Sequence, residues 1–323
     1  MIAFLRSFVK RVSSSPTRSR ADTAKKRRVI LNCVNDIKHK ITLVKITLLF
    51  FAVSALDLVG ELDTLLTKER RKAIIDWIYR LQITSDSGNY WCGFRGGLGC
   101  VYSDDKGDVC SIYDAANLAQ TYSALLSLAI LGDDLSKVDR CAILNTISKS
   151  QKDDGSFWGQ GKDSESDMRF VFCATAICHI LNDDNAINWS RLSQFIRASL
   201  NYDGGIGQGP GDESHGGSTY CAIASLALSN RLWNESVLSR KEIDRLIKWA
   251  VWKQERGFHG RAHKPDDSCY AFWIGATLEI LNAHPFINDI YLREFLMIAQ
   301  HEHLGGFCKI PEKGGFPGYT KYV

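Results

Sequence analysis

Only six prolines punctuate the sequence. No two-residue turn of the kind that closes a β-hairpin separates its apolar runs. Both absences argue against a sandwich or barrel of strands. No CxxC pair occurs among the ten cysteines (Cys33, Cys92, Cys100, Cys110, Cys141, Cys173, Cys178, Cys221, Cys269 and Cys308), so a four-cysteine zinc site is not supported. Cys173, Cys178 and Cys221 lie in apolar stretches, and scattered cysteines in a large chain read as reduced core thiols of a cytoplasmic protein. No run of about twenty apolar residues is present to span a membrane. The best attempt, "ITLVKITLLFFAVSAL" (41–56), carries Lys45 and reads as a buried helix. Charge of one sign is scarce too: the net charge is +4, with much of the excess in the first forty residues. That leaves no nucleic-acid surface. The first twenty residues lack acids and are rich in Arg and Ser. They resemble a mitochondrial transit peptide, with a disordered basic tail or a misplaced start as alternatives.

What is present is a repeat. The 323 residues are 45% hydrophobic and 24% charged, which excludes a disordered chain and allows two average domains or one large one. Five turns share one plan, with acidic and glycine residues leading to a GG or GF step: 81–97, 150–161, 200–211, 253–261 and 299–309. The later ones recur at roughly fifty-residue intervals, within the range of repeat architectures. The apolar segments 113–131, 167–181, 217–228 and 269–281 follow four of them. They carry Ala, Ser, Gly and Cys at helical spacing, which lets helices pack closely. The expected fold is all-α: paired helices repeating as a solenoid or closing into a toroid or barrel of inner and outer helices. Residues 1–40 form a basic N-terminal extension, and 41–323 form the repeat domain. In a closed ring the glycine turns and inner-helix N-termini share one rim. Helix N-termini attract anions, so that rim suits the anionic head of an amphiphile.

The stretch "GFHGRAHKPDDSCYAFW" (257–273) concentrates the chemistry. Asp267 and Cys269 stand two apart at a helix entrance, where a carboxylate and a thiolate can share Zn²⁺. The plainer reading is that Asp267 caps the helix and Cys269 is core. Arg261, Lys264 and Tyr270 could reach a phosphate from the same rim. "ESHGGSTYC" (213–221) adds His215, and Lys309 follows another glycine turn. Each alone reads as a solvated charge, or as a satisfied histidine for His215. Together they suggest a diphosphate site built on charge-assisted hydrogen bonds.

"HGGSTYC", "GFHGR..KPDDSCYAFW" and "GGFCK" resemble the β subunits of the protein prenyltransferases, over about residues 41–311. The resemblance implies an α-α barrel with an apolar cavity, paired with a helical α subunit. It implies transfer of an isoprenoid from its diphosphate to a cysteine near a protein's C-terminus, with one zinc ion activating the thiol. Three features favour geranylgeranyltransferase type I over the farnesyl and Rab enzymes. "LAILGDDLSKVDR" (128–140) and "FWIGATLEIL" (272–281) look closest to type I. Cys308 followed by Lys309 stands where the other two have an acid, so Mg²⁺ should be dispensable. Thr47 matches the residue that sets cavity depth, and it fits the longer geranylgeranyl chain. Asp267 and Cys269 then look like zinc ligands. His215, Arg261, Lys264 and Tyr270 look like diphosphate ligands, with Lys309 as the added cation. Lys309 and Tyr270 are the expected catalytic groups. Arg169 resembles the residue that holds the end of the acceptor peptide, and Trp273 and Phe172 should line the lipid funnel. The implied partners are an α subunit, geranylgeranyl diphosphate and CaaX-type proteins such as small GTPases.

The sequence departs from the family at its end. The third zinc ligand is a His after the "GGF" turn, yet no histidine follows His303, and the matching slot falls near Tyr319. The expectation is a chain truncated at the C-terminus, lacking its last inner and outer helices. Three alternatives stand beside type I catalysis. One is a non-catalytic β-like chain that only binds an α subunit or lipid. Another is farnesyl or Rab specificity. The third is a terpene cyclase, against which neither DxDD nor DCTE is present.

Overall fold

The computed structural model describes residues 45–85, 91–98, 115–300 and 306–311. The expected extension at 1–40, His301, His303 and Tyr319 lie outside the described residues. Eleven α-helices occur among the described residues, with one two-stranded ladder. In order they are α1 Lys45–Leu58, α2 Leu62–Leu65, α3 Lys68–Tyr79, β1 Gln82–Ile83, β2 Gly93–Phe94, α4 Leu118–Ile130, α5 Arg140–Ser150, α6 Met168–Ile180, α7 Trp189–Ala198, α8 Gly216–Leu228, α9 Arg240–Val251, α10 Tyr270–Ile280 and α11 Asp289–Ala299. The chain divides into two compact units, one within Asn32–Leu192 and the other within Ser193–Val323.

Two kinds of helix alternate. In the first unit, α1, α4 and α6 are apolar and pack side by side. In the second, α8 and α10 do the same. Gly216 permits that approach, because a Cβ there would stand 3.0 Å from Ile274 and Tyr270. Buried hydroxyls in these helices bond back to their own backbone, as Ser127 does to Ser123, Thr175 to Val171 and Ser225 to Cys221. No polar group is thereby stranded by the small residues that close packing needs. The intervening helices are amphipathic. In α9, Ile243, Leu246, Trp249 and Ala250 are buried while Arg240, Lys241, Asp244 and Arg245 face out.

The glycine turns contain short antiparallel pairings that the weak strand signals did not announce. Gln82 pairs with Phe94, Gln151 with Phe157, Leu200 with Ile206, Gln254 with Phe258 and Gln300 with Phe307. Phe94, Phe157 and Phe258 are fully buried, which contributes about 1.5–3 kcal/mol each. The Gln side chains reach further. Gln151 donates to the Asn188 carbonyl at 3.1 Å and accepts from its N–H at 2.7 Å. Gln254 clamps Asn288 the same way, at 2.9 Å on both sides. Four of the five turns also bind the N-terminal end of an apolar helix segment: Ile46 N–H to Gly96, Leu118 to Gly159, Gly216 to Gly260, and Ser268 to Lys309. Within each unit, glycine turns and helix N-termini therefore meet at one end.

Candidate functional site

The second unit gathers most of the expected site. His215 is the N-cap of α8. Its Nδ1 accepts from the N–H groups of Gly217 at 3.0 Å and Ser218 at 3.3 Å. Its Nε2 lies 3.0 Å from the Tyr270 hydroxyl, on the first residue of α10. Gly260 passes so close to that ring that a Cβ would stand 1.8 Å from Tyr270 Cζ. Burial is the main cause pushing the Tyr270 phenol up to about 12, so it stays protonated at neutral pH. Arg261 bonds Glu213 at 3.0 Å on the exposed rim, and Lys264 is exposed beside it.

Asp267 is buried, and its Oδ1 accepts from Cys269 N–H at 2.9 Å. The N-cap of α10 is Cys269 and no side chain caps that helix, so the plainer reading of Asp267 as its cap is not what the structure shows. Its Oδ2 faces Lys309 Nζ at 3.8 Å. Cys269 is half-buried, not core. The carboxylate and thiol thus share the α10 entrance, and their donor chemistry suits Zn²⁺. Among the described residues no group of three or more His, Cys, Asp or Glu could hold a metal ion. The pair supplies two ligands of the right kind and no third. Behind them, Tyr220, Phe272 and Trp273 form an aromatic cluster with ring centroids 5.1–5.2 Å apart, and Trp273 is half-buried.

The remaining expected residues belong to the first unit. Thr47 donates to Gln120 at 2.9 Å, tying α1 to α4. Phe172 stacks edge-on against Tyr122, which meets Phe50 in turn. Arg169 is exposed and folded back onto Asp167, the N-cap of α6, and onto Glu165, which keep its guanidinium charged. Sequence reasoning missed Gly260, Glu213, Gln120 and Glu165. Only Gly260 had a signal, since it sits two places after the turn phenylalanine, as Gly96 and Gly159 do. Among the described cysteines, Cys173, Cys178 and Cys221 are buried as expected, and burial pushes the Cys178 thiol up to about 12. Cys141 is exposed, because it lies on an amphipathic helix.

The sequence pattern of the prenyltransferase α-α toroid domain matches residues 22–319. The chain belongs to the prenyltransferase family. It is 42% identical over 279 residues to a geranylgeranyl transferase type-1 subunit beta of Dictyostelium discoideum, covering 82% of this chain and 78% of that protein. It is 36% identical to the subunit of the same name in Arabidopsis thaliana, covering 86% of this chain and 77% of that protein. A farnesyltransferase subunit beta of Arabidopsis thaliana matches at 35% identity, but over only 54% of this chain. The solved structure of Candida albicans protein geranylgeranyltransferase-I complexed with GGPP has the same fold, with a TM-score of 0.73 at 24% identity. It is matched over 98% of this chain and 87% of that one. Of the solenoid and the closed ring that the repeats allowed, the all-α toroid is the family's architecture. No helix among the described residues is long and apolar enough to cross a membrane.

Proposed function

We propose that this chain is the catalytic β subunit of a type I protein geranylgeranyltransferase, acting in the cytoplasm with an α subunit. Likeness to two type-1 beta subunits over most of the chain carries the reading, and the α10 entrance supplies the chemistry. Geranylgeranyl diphosphate and the C-terminal cysteine of a CaaX-type protein are the substrates. A bond forms between the cysteine sulfur and the lipid C1, the C1–oxygen bond breaks, diphosphate leaves, and the thiol proton passes to solvent.

Arg261, Lys264 and Lys309 supply positive charge to the leaving diphosphate, and Tyr270 supplies a neutral donor. Such groups matter most where charge develops. His215 sits at their base. Trp273 and Phe172 wall the lipid, and Thr47 leaves room for its far end. Each buried CH₂ contributes about 0.8 kcal/mol, so the longer lipid binds tightly where room exists. Arg169 takes the end of the acceptor peptide in exchange for its present contacts with Glu165 and Asp167. Asp267 and Cys269 would hold Zn²⁺, which when bound makes a coordinated thiol acidic. With Lys309 present as the extra cation, Mg²⁺ is not required.

The test is zinc content and transfer by the chain co-purified with an α subunit, compared with Asp267→Asn. Asn keeps an Oδ1 acceptor for the Cys269 N–H, so a merely structural Asp267 predicts unchanged zinc. The proposed role predicts loss of both zinc and transfer.

A further inference from the structure

Each unit contains the same helix corner, bridged in one and open in the other. In the first unit Arg140, the first residue of α5, donates to the carbonyl of Leu181, the C-cap of α6. In the second unit Arg240 is the first residue of α9, and Leu281 is the C-cap of α10. Arg240 is turned elsewhere. Its Nε bonds Asp244 at 3.3 Å, and its guanidinium stacks on Trp233, 5.4 Å from the ring centre. A cleft of about 650 Å³ opens there, with Trp233, Arg240, Asp244, Ile247, Leu281 and Phe286 in its walls. It lies at the C-terminal end of α10, roughly 16 Å along that helix from Tyr270.

The walls define what fits. Trp233 is 46% exposed and Phe286 67%, so the cleft offers apolar surface to a ligand. A helix C-terminus favours a cation, and so does an aromatic face. Asp244 adds a carboxylate, and Glu235 accepts the Arg240 N–H at 3.2 Å. These two acids outnumber Arg240. Lys241, Arg245 and Lys248 lie on the adjacent flank of α9, one step round from Arg240, Asp244 and Ile247. The fitting ligand is a basic segment that also carries apolar residues. The chain has one outside the described residues: "MIAFLRSFVKRV" (1–12). Ile2, Leu5, Phe8, Val9 and Val12 recur at helical spacing, with Arg6, Lys10 and Arg11 between them and no acid. Reach does not limit it. The 44 residues before α1 could span about 150 Å when extended, whereas a folded chain of this length has a radius of gyration of about 20 Å.

We propose that the cleft between Trp233 and Phe286 is the docking site of this chain's own N-terminal segment, residues 1–12. The apolar residues of the segment cover Trp233 and Phe286. Arg6 or Arg11 takes the place at the Leu281 carbonyl that Arg140 takes at Leu181, and Asp244 pairs with its guanidinium. The inference does not rest on the catalytic reading, because the cleft stands at the opposite end of α10 from the candidate site.

The experiment uses the chain without residues 1–15, co-expressed with an α subunit, and a fluorescent synthetic peptide of residues 1–15. Anisotropy should show saturable binding to the shortened chain. Binding to the full chain should be at least about tenfold weaker, because the tethered segment competes at high effective concentration. Phe286→Ala or Asp244→Arg in the shortened chain should each weaken binding about tenfold, as should Arg6→Glu/Arg11→Glu in the peptide. Lys241→Glu/Lys248→Glu, on the other flank of α9, should not weaken it. A second measurement needs no shortened chain. In the full chain, Arg6→Glu/Arg11→Glu should speed hydrogen exchange at residues 281–287 and leave the rest of the second unit unchanged. No binding to the shortened chain, equal binding to both chains, or binding unmoved by Phe286→Ala and Asp244→Arg would overturn the proposal. So would a peptide that binds only vesicles of anionic lipid, or exchange at 281–287 that ignores Arg6→Glu/Arg11→Glu.

Discussion

Replacing Gly260 by Ala adds one methyl group, and the structure says where it must go. The new Cβ would stand 1.8 Å from Tyr270 Cζ, 2.1 Å from Cε1 and 2.3 Å from the hydroxyl oxygen. Ordinary contacts begin near 3.4 Å, so the ring or the turn must shift by more than about 1 Å. That breaks the 3.0 Å bond to His215. Overpacking of this kind costs about 1–3 kcal/mol, which a domain stable by roughly 5–15 kcal/mol survives. A misplacement of about 1 Å at a reacting site can cost about a hundredfold in rate. The expected phenotype is therefore a folded protein with a large loss of single-turnover transfer. Gly132→Ala is the control. Its φ of +81° strains the backbone, yet nothing lies within 4 Å of the added methyl. It should lower stability by about 1 kcal/mol and leave transfer unchanged. Wild-type transfer by Gly260→Ala would refute the claim that Tyr270 must sit where it does.

Further outcomes follow from the caps, clamps and cavity. The Asp139 carboxyl is held below its ordinary range by the Ser85 N–H, and Glu242 by the Ser239 N–H. Depressed carboxylates contribute stability above their unfolded pKa, near 4, and lose it as pH falls through the folded value. Melting temperature should therefore drop below about pH 5, and Glu242→Gln should shrink that drop. Gln254→Ala removes both clamp bonds to Asn288 and should cost about 1–2 kcal/mol in urea unfolding, with little effect on the rate constant of transfer. Thr47→Trp fills the proposed space for the lipid's far end, so competition assays should shift preference from geranylgeranyl to farnesyl diphosphate.

The apolar helices were legible because small and apolar residues recur at helical spacing over whole segments. Residues 217–228 fold as Gly216–Leu228, and 269–281 as Tyr270–Ile280. The segment starting at 113 begins its helix at Leu118, because Asn117 is extended and takes the cap. The clamps were illegible for a different reason. Gln151 and Gln254 bond partners 37 and 34 residues onward, at a distance that no local pattern encodes. The turn pairings were hidden likewise, since a bridge of one residue on each side carries no alternation. In the site, residue types announced the cations, Asp267 and Cys269. Spacing could not reveal that Glu213 engages Arg261, or that Gly260 seats Tyr270. These depend on turns from successive repeats meeting helix N-termini, which exists only after folding.

The most direct measurement is prenyl transfer by the full 323-residue chain co-purified with an α subunit. A CaaX-type peptide is offered with geranylgeranyl and farnesyl diphosphates in competition, with zinc present and Mg²⁺ omitted. The account predicts transfer of the geranylgeranyl group to the peptide cysteine, unchanged on adding Mg²⁺. A soluble heterodimer that binds the lipid but transfers nothing, or that prefers farnesyl, would contradict it.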